Sequence, residues 1–134
     1  MRVTIDSSVL IAATAFPGVC TQLLDAVAER HELVISEFIL NEVQRKLREK
    51  AGFSEDEILK VMTRLRRVSS LVEPVTVEKG LCRDETDLPI LGTAIAAHAL
   101  FLVTLDKDLL VLGRFQGIKV VRPGDFFRFE QTMR

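Results

Sequence analysis

Arg2-Val3-Thr4-Ile5-Asp6-Ser7-Ser8-Val9-Leu10-Ile11 opens the chain, and Phe101-Leu102-Val103-Thr104-Leu105-Asp106-Lys107-Asp108 has the same form near its other end. Each is a short apolar, β-branched run that stops at an aspartate and leads into a helical pattern. A run of this length without polar alternation reads as a strand buried on both faces, as in a parallel sheet covered by helices. Between the two, Leu33-Val34-Ile35 and the stretch near 70–75 read the same way, and 118–121 closes the series. Helical patterns fall between them, at about 8–15, 19–30, 37–50, 54–68 and 87–99, with a terminal helix from Pro123 carrying Phe126, Phe127 and Phe129. Strands alternating with helices predict an α/β fold, a three-layer α/β/α sandwich around a mainly parallel sheet of about five strands. Local signals support the helix starts. Ser36 is placed to cap the helix at 37–50, Ser54 with Glu57 fits a capping box, and Pro89 falls in a first turn, where proline is tolerated.

The totals bound the rest. A length of 134 residues predicts one domain spanning 1–134, and 48% hydrophobic with 28% charged residues suits a compact globule. Eight Phe with no Trp or Tyr predict an aliphatic core. A net charge of −1 provides no global basic field, so nucleic-acid binding must use local patches. Cys20 and Cys82 form no disulfide framework and are read as reduced thiols of a cytoplasmic protein. The first acid comes too early for a secretory leader, and no apolar run reaches the roughly 18 residues of a membrane span.

Four acids stand where a buried α/β chain has little structural use for them: Asp6, Glu42, Asp87 and Asp106. Asp6 and Asp106 end strands, Asp87 opens a helix, and Glu42 rides the helix after Leu33-Val34-Ile35. Strand C-termini and the following helix starts share one edge of a parallel sheet, so all four are expected there. Each also has an ordinary explanation: a helix cap for Asp6 or Asp106, a favourable dipole for Asp87, an i,i+4 partner in Lys46 for Glu42. Taken together they gather like charges in one cleft, which is best explained by a bound divalent cation. Hard oxygen donors select Mg²⁺ or Mn²⁺ over zinc. His31 and His98 have no zinc-site spacing with either cysteine, and no P-loop, dinucleotide-binding or nucleophile-elbow motif occurs.

Asp84 and Asp108 are further metal candidates, Glu85 is read as water-facing, and the hydroxyls of Ser8 and Thr104 are candidate donors to the carboxylates. Phosphodiester hydrolysis suits such a site, since carboxylate-held metal acidifies water and neutralises phosphate charge. Asp6 and Asp106 are the expected direct ligands. Arg45, Lys46 and Arg48, with Lys50 beyond them, are candidates to hold the substrate backbone, and Arg64, Arg66 and Arg67 form a second basic group. Without an evident exposed aromatic ladder, base stacking has little support in the sequence.

These blocks together resemble the PIN-domain family, in particular toxin components of toxin–antitoxin pairs. The resemblance rests on Val3–Ile11, Ser36–Val43, Cys82–Asp87 with Ala94–Ala97, and Leu102–Leu110, and it runs in order to Val120–Phe126. It implies a Mg²⁺- or Mn²⁺-dependent ribonuclease acting on RNA, frequent homodimers, and an antitoxin protein as partner. The family's acids carry over onto Asp6, Glu42, Asp87 and Asp106. Ser7-Ser8 after the first acid and Leu105 before the last depart from common family residues without removing a ligand. Two other readings compete: a PIN-like binding module with weak or no cleavage, and a phosphate-transfer α/β domain. The second usually needs another acid two residues after the first, where this chain has Ser8.

Overall fold

The structure, a computed structural model, describes residues 1–132; the predicted single domain extends two residues beyond them. Six strands form one sheet in the order β3-β2-β1-β4-β6-β5: β1 (Arg2–Ile5), β2 (Glu32–Ile35), β3 (Ser69–Leu71), β4 (Phe101–Val103), β5 (Arg114–Phe115) and β6 (Ile118–Val121). All neighbours are parallel except β5 with β6. The described residues form seven α-helices, α1 (Ser7–Ala15), α2 (Val19–Arg30), α3 (Glu37–Glu49), α4 (Glu55–Val68), α5 (Leu88–Ala96), α6 (Lys107–Leu110) and α7 (Pro123–Thr132), with a 3-10 turn at Glu85–Asp87.

The apolar runs explain the centre of the sheet. Val3, Thr4 and Ile5 are all buried, as are Phe101, Leu102 and Val103, so β1 and β4 have both faces covered. The Thr4 hydroxyl survives burial by donating to the Val34 carbonyl at 2.8 Å. From β1 the crossovers step outward to β2 and β3, and from β4 they step the other way to β6. Right-handed crossovers in opposite directions place helices on both faces. They also leave a crevice between the C-termini of β1 and β4, where the connections diverge.

Capping follows the sequence. The Ser36 hydroxyl accepts from the Ile39 N–H, and the Ser54–Glu57 box closes in both directions, at 3.2 and 2.9 Å. The amphipathic spacing of α3 buries Ile39, Leu40, Val43 and Leu47 and turns Glu42 and Lys46 toward the strand-end crevice.

The sheet has six strands rather than five. The extra one is β5, joined to β6 by Gln116 and Gly117, both at positive φ (48° and 81°), a two-residue hairpin turn of the kind that matches strand twist. Strand β3 ends at Leu71, short of the predicted 75. Val72 makes the last bond, to the Ile35 carbonyl, and Pro74 has no N–H to continue the ladder. The segment turns instead across α5, where the Val75 N–H donates to the Gly92 carbonyl at 3.1 Å. A Cβ on Gly92 would lie 2.2 Å from the Val75 carbonyl oxygen, so only glycine permits this approach. Helix α5 stops at Ala96 and not 99, because His98 takes a left-handed conformation (φ 51°) that ends the helix.

Candidate metal-dependent cleft at the strand ends

Asp6 is fixed from both central strands. Its backbone N–H donates to the Val103 carbonyl at 2.9 Å, tying the end of β1 to that of β4. The Thr104 hydroxyl donates to Asp6 Oδ2 at 2.7 Å and accepts from the Asp106 N–H at 3.0 Å. The Ser8 hydroxyl donates to the same Oδ2 at 3.1 Å and accepts from the Leu105 N–H. Two hydroxyls therefore aim one carboxylate oxygen and bind the two strand ends to each other. Asp6 occupies the N-cap position of α1, yet its side chain caps no backbone N–H. Capping thus fails to explain why a buried carboxylate stands there.

Ser7 links Asp6 to Glu42. Its hydroxyl donates to Glu42 Oε1 at 2.9 Å and lies 3.3 Å from Asp6 Oδ1. Glu42 is half-buried, and no salt bridge to Lys46 forms among the described residues. Asp106 does cap α6, accepting from the Asp108 N–H through Oδ1 at 2.9 Å, so its ordinary reading holds for one oxygen.

Asp87 ends the 3-10 turn that Asp84 caps by accepting from the Thr86 N–H and hydroxyl. It is 7% exposed, does not cap α5, and its Oδ2 is buried with no hydrogen-bond partner. Burial, then the charge and hydrogen-bonding contact of Asp106, then Asp84 and Asp6, raise its carboxyl from an ordinary 3.8 to about 7. A buried oxygen without a donor, among acids that repel its charge, is the environment a cation would relieve.

The four acids line one cavity of about 190 Å³, together with Ser7, Ser8, Lys46, Ile90, Leu105. On its outer side Asp84, Asp87 and Asp108 offer carboxylate oxygens within 4.8 Å of one another, so Asp87 belongs to both groups. The donor set is oxygen throughout. Cys82 adjoins it, its thiol donating to the Asp108 carbonyl, but burial and the neighbouring carboxylates raise its pKa and keep it protonated. His31 pairs instead with Glu130 at the opposite sheet edge. The residues present thus fit a hard divalent cation.

The basic candidates separate. Lys46 lines the cavity, whereas Arg45 turns to Glu49 and Arg48 forms a two-pronged pair with Glu55, leaving neither on its wall. Arg64 and Arg66 are likewise engaged, with Asp25 and Glu37. The sequence did not show that seven residues across the α3–α4 turn would bring Glu55 onto Arg48. It also missed Phe16, 71% exposed at the end of α1; apolar content alone carries no sign of which way a ring at a helix end will face.

The PIN domain family matches residues 2–108, a span that includes every acid of the cleft. The chain belongs to the PIN-domain family. Among solved structures this PIN domain is similar to VapBC2 from Rickettsia felis, determined bound to a DNA fragment from their promoter, with a TM-score of 0.64 and 18% identity over 90% of this chain and 97% of that one. At such identity the likeness concerns the fold. No curated protein matches the sequence. Among the described residues no single helix is long and apolar enough to cross a membrane.

Proposed function

We propose that this PIN domain is a Mg²⁺- or Mn²⁺-dependent endoribonuclease, acting in the cytoplasm as the toxin of a toxin–antitoxin pair and working as a homodimer. The observation that carries the nuclease reading is the state of Asp6 and Asp87. Both are buried at N-cap positions, neither caps, and with Glu42 and Asp106 they surround one cavity. The antitoxin partner draws support from the sequence resemblance and from the fold shared with VapBC2, which was solved on promoter DNA.

Asp6, Asp87 and Asp106 would hold the ion, with Glu42 beside them and Asp84 and Asp108 supporting Asp87 from outside. Bound there, Mg²⁺ or Mn²⁺ supplies an acidified water and neutralises charge on the scissile phosphate. The protein's own groups do the rest. Thr104 and Ser8 keep Asp6 Oδ2 in one orientation, so the carboxylate need not reorganise when substrate arrives. Ser7 holds Glu42 with one oxygen engaged and the other available to take the proton of an attacking water. Lys46 is the cation on the cavity wall and is placed to meet a phosphate oxygen. Asp87 must lose its proton before it can ligate, so affinity for the metal should rise with pH toward neutrality.

The test is cleavage of single-stranded RNA with Mg²⁺, Mn²⁺ or chelator, comparing wild type with Asp6→Asn and Asp106→Asn. Each substitution should lower the rate roughly 10²-fold or more, on the scale that metal-polarised water contributes. Equal rates for all three proteins would remove the assignment, and equal cleavage of DNA would reduce ribonuclease to nuclease.

A further inference from the structure

Beside the acidic cavity lies a second depression of about 300 Å³, whose walls include Ile11, Ala15, Phe16 and Lys50 and which shares Ser8 and Lys46 with the first. The two are therefore continuous, one carrying the carboxylates and the other an aromatic ring between aliphatic and cationic walls. Phe16 is the capping residue at the end of α1, and its ring stays largely in water although a phenylalanine ordinarily buries. Its backbone is held on both sides: the N–H donates to the Ala12 carbonyl at 3.0 Å, and its carbonyl accepts from the Thr21 hydroxyl. Pro17 stiffens the exit. The ring is thus presented by fixed backbone rather than by a loose loop.

The cations of α3 divide along the same line. Arg45 and Arg48 are neutralised by Glu49 and Glu55. Lys46 and Lys50, one helical turn apart, face the groove, and no salt bridge among the described residues engages either. Unpaired ammonium groups flanking an exposed ring, beside a cleft suited to phosphodiester chemistry, match the alternation of phosphate and base in a single strand. A duplex would hide the base faces that the ring could meet.

We propose that this groove is a nucleoside subsite: a base of single-stranded RNA adjoining the scissile phosphate stacks on Phe16, while Lys46 and Lys50 hold neighbouring phosphates. The inference rests on the ribonuclease reading of the adjoining cleft.

The chain contains no Trp or Tyr, so Phe16→Trp installs a single fluorophore where stacking should occur. With chelator present, so that nothing is cut, a short oligouridylate should quench its emission, and an abasic oligomer of equal length should not. Phe16→Ala should weaken binding of the oligouridylate about tenfold, within the range of one lost base–aromatic stack. Lys50→Gln should make the dependence of log affinity on log salt shallower by about 0.7. Equal quenching by the abasic oligomer, or unchanged affinity in Phe16→Ala, would overturn the proposal and leave the groove to a protein segment. The cleavage arm separates the two readings. Quenching without cleavage under any divalent metal would retain the subsite and remove the nuclease, and cleavage with a kcat/KM indifferent to Phe16→Ala would do the reverse.

Discussion

Replacing Asp87 by Asn should make the metal-free protein more stable at pH 8, and by less than half as much at pH 5. The folded protein raises this carboxyl from 3.8 to about 7. Between those values the unfolded chain releases the proton that the folded chain still holds, so stability falls as pH rises through the window and levels off above about pH 7. A displacement of roughly three units at about 1.4 kcal/mol each sets an upper bound of about 4 kcal/mol. Asn cannot ionise and can donate to Asp106, so about 2–4 kcal/mol of that loss should be recovered, or roughly 6–12 °C in Tm for a domain of this size. Thermal unfolding in chelator at pH 5 and pH 8 reads the difference directly. Saturating Mn²⁺ should stabilise the wild type and do little for the variant, since ligand binding to the folded state adds stability only where the ligands exist. Equal stabilities at pH 8, or a wild-type profile flat between pH 5 and 8, would refute the placement of a strained carboxyl in this cleft.

Other expectations concern the scaffold. Glu130 is 5% exposed, grips Arg30 through both carboxylate oxygens and contacts His31, so Glu130→Ala should cost about 1–2 kcal/mol in urea unfolding by removing the acceptor of the part-buried His31 ring and of the largely exposed Arg30. The Arg30 contacts hold that carboxyl below its ordinary 4.5, so its contribution should be complete above that pH and disappear as pH falls through the lower folded value. Gly92→Ala should destabilise by about 2 kcal/mol or more, because its methyl group meets the Val75 carbonyl, and calorimetry would show it as a lowered Tm. Ser54→Ala opens the capping box of α4 and should cost about 1 kcal/mol in the same assay.

The centre of this fold was readable from sequence because its signals are local. Val3-Thr4-Ile5 and Phe101-Leu102-Val103 are uninterrupted and buried, and each ends near an acid that the parallel topology carries to the same edge. The capping residues of α3 and α4 were equally plain. The edge of the sheet was not. Arg114-Phe115 is too short for any periodicity, and Gln116-Gly117 lacks the Asn or Asp that marks such turns most strongly. Tertiary contacts decided the remaining differences. The chain left the sheet after Val72 because Pro74 has no N–H for the ladder and the glycine of α5 lets the Val75 backbone approach and bond to it. Asp84 looked like a spare ligand, yet it caps the turn that presents Asp87 while also facing Asp108. The basic residues of α3 looked alike in sequence, yet Arg45 pairs with Glu49 one turn on in the same helix, Arg48 with Glu55 at the start of α4, and the lysines with neither.

The central claim is that carboxylates from four separated parts of the chain hold one or more divalent ions. Crystals grown with Mn²⁺ and measured at its absorption edge would test it most directly. The account expects an anomalous peak inside the strand-end cavity, within about 2.0–2.4 Å of oxygens from Asp6, Asp87 or Asp106, and its loss in Asp87→Asn. A cleft without manganese under saturating conditions, or manganese bound only elsewhere on the surface, would contradict it.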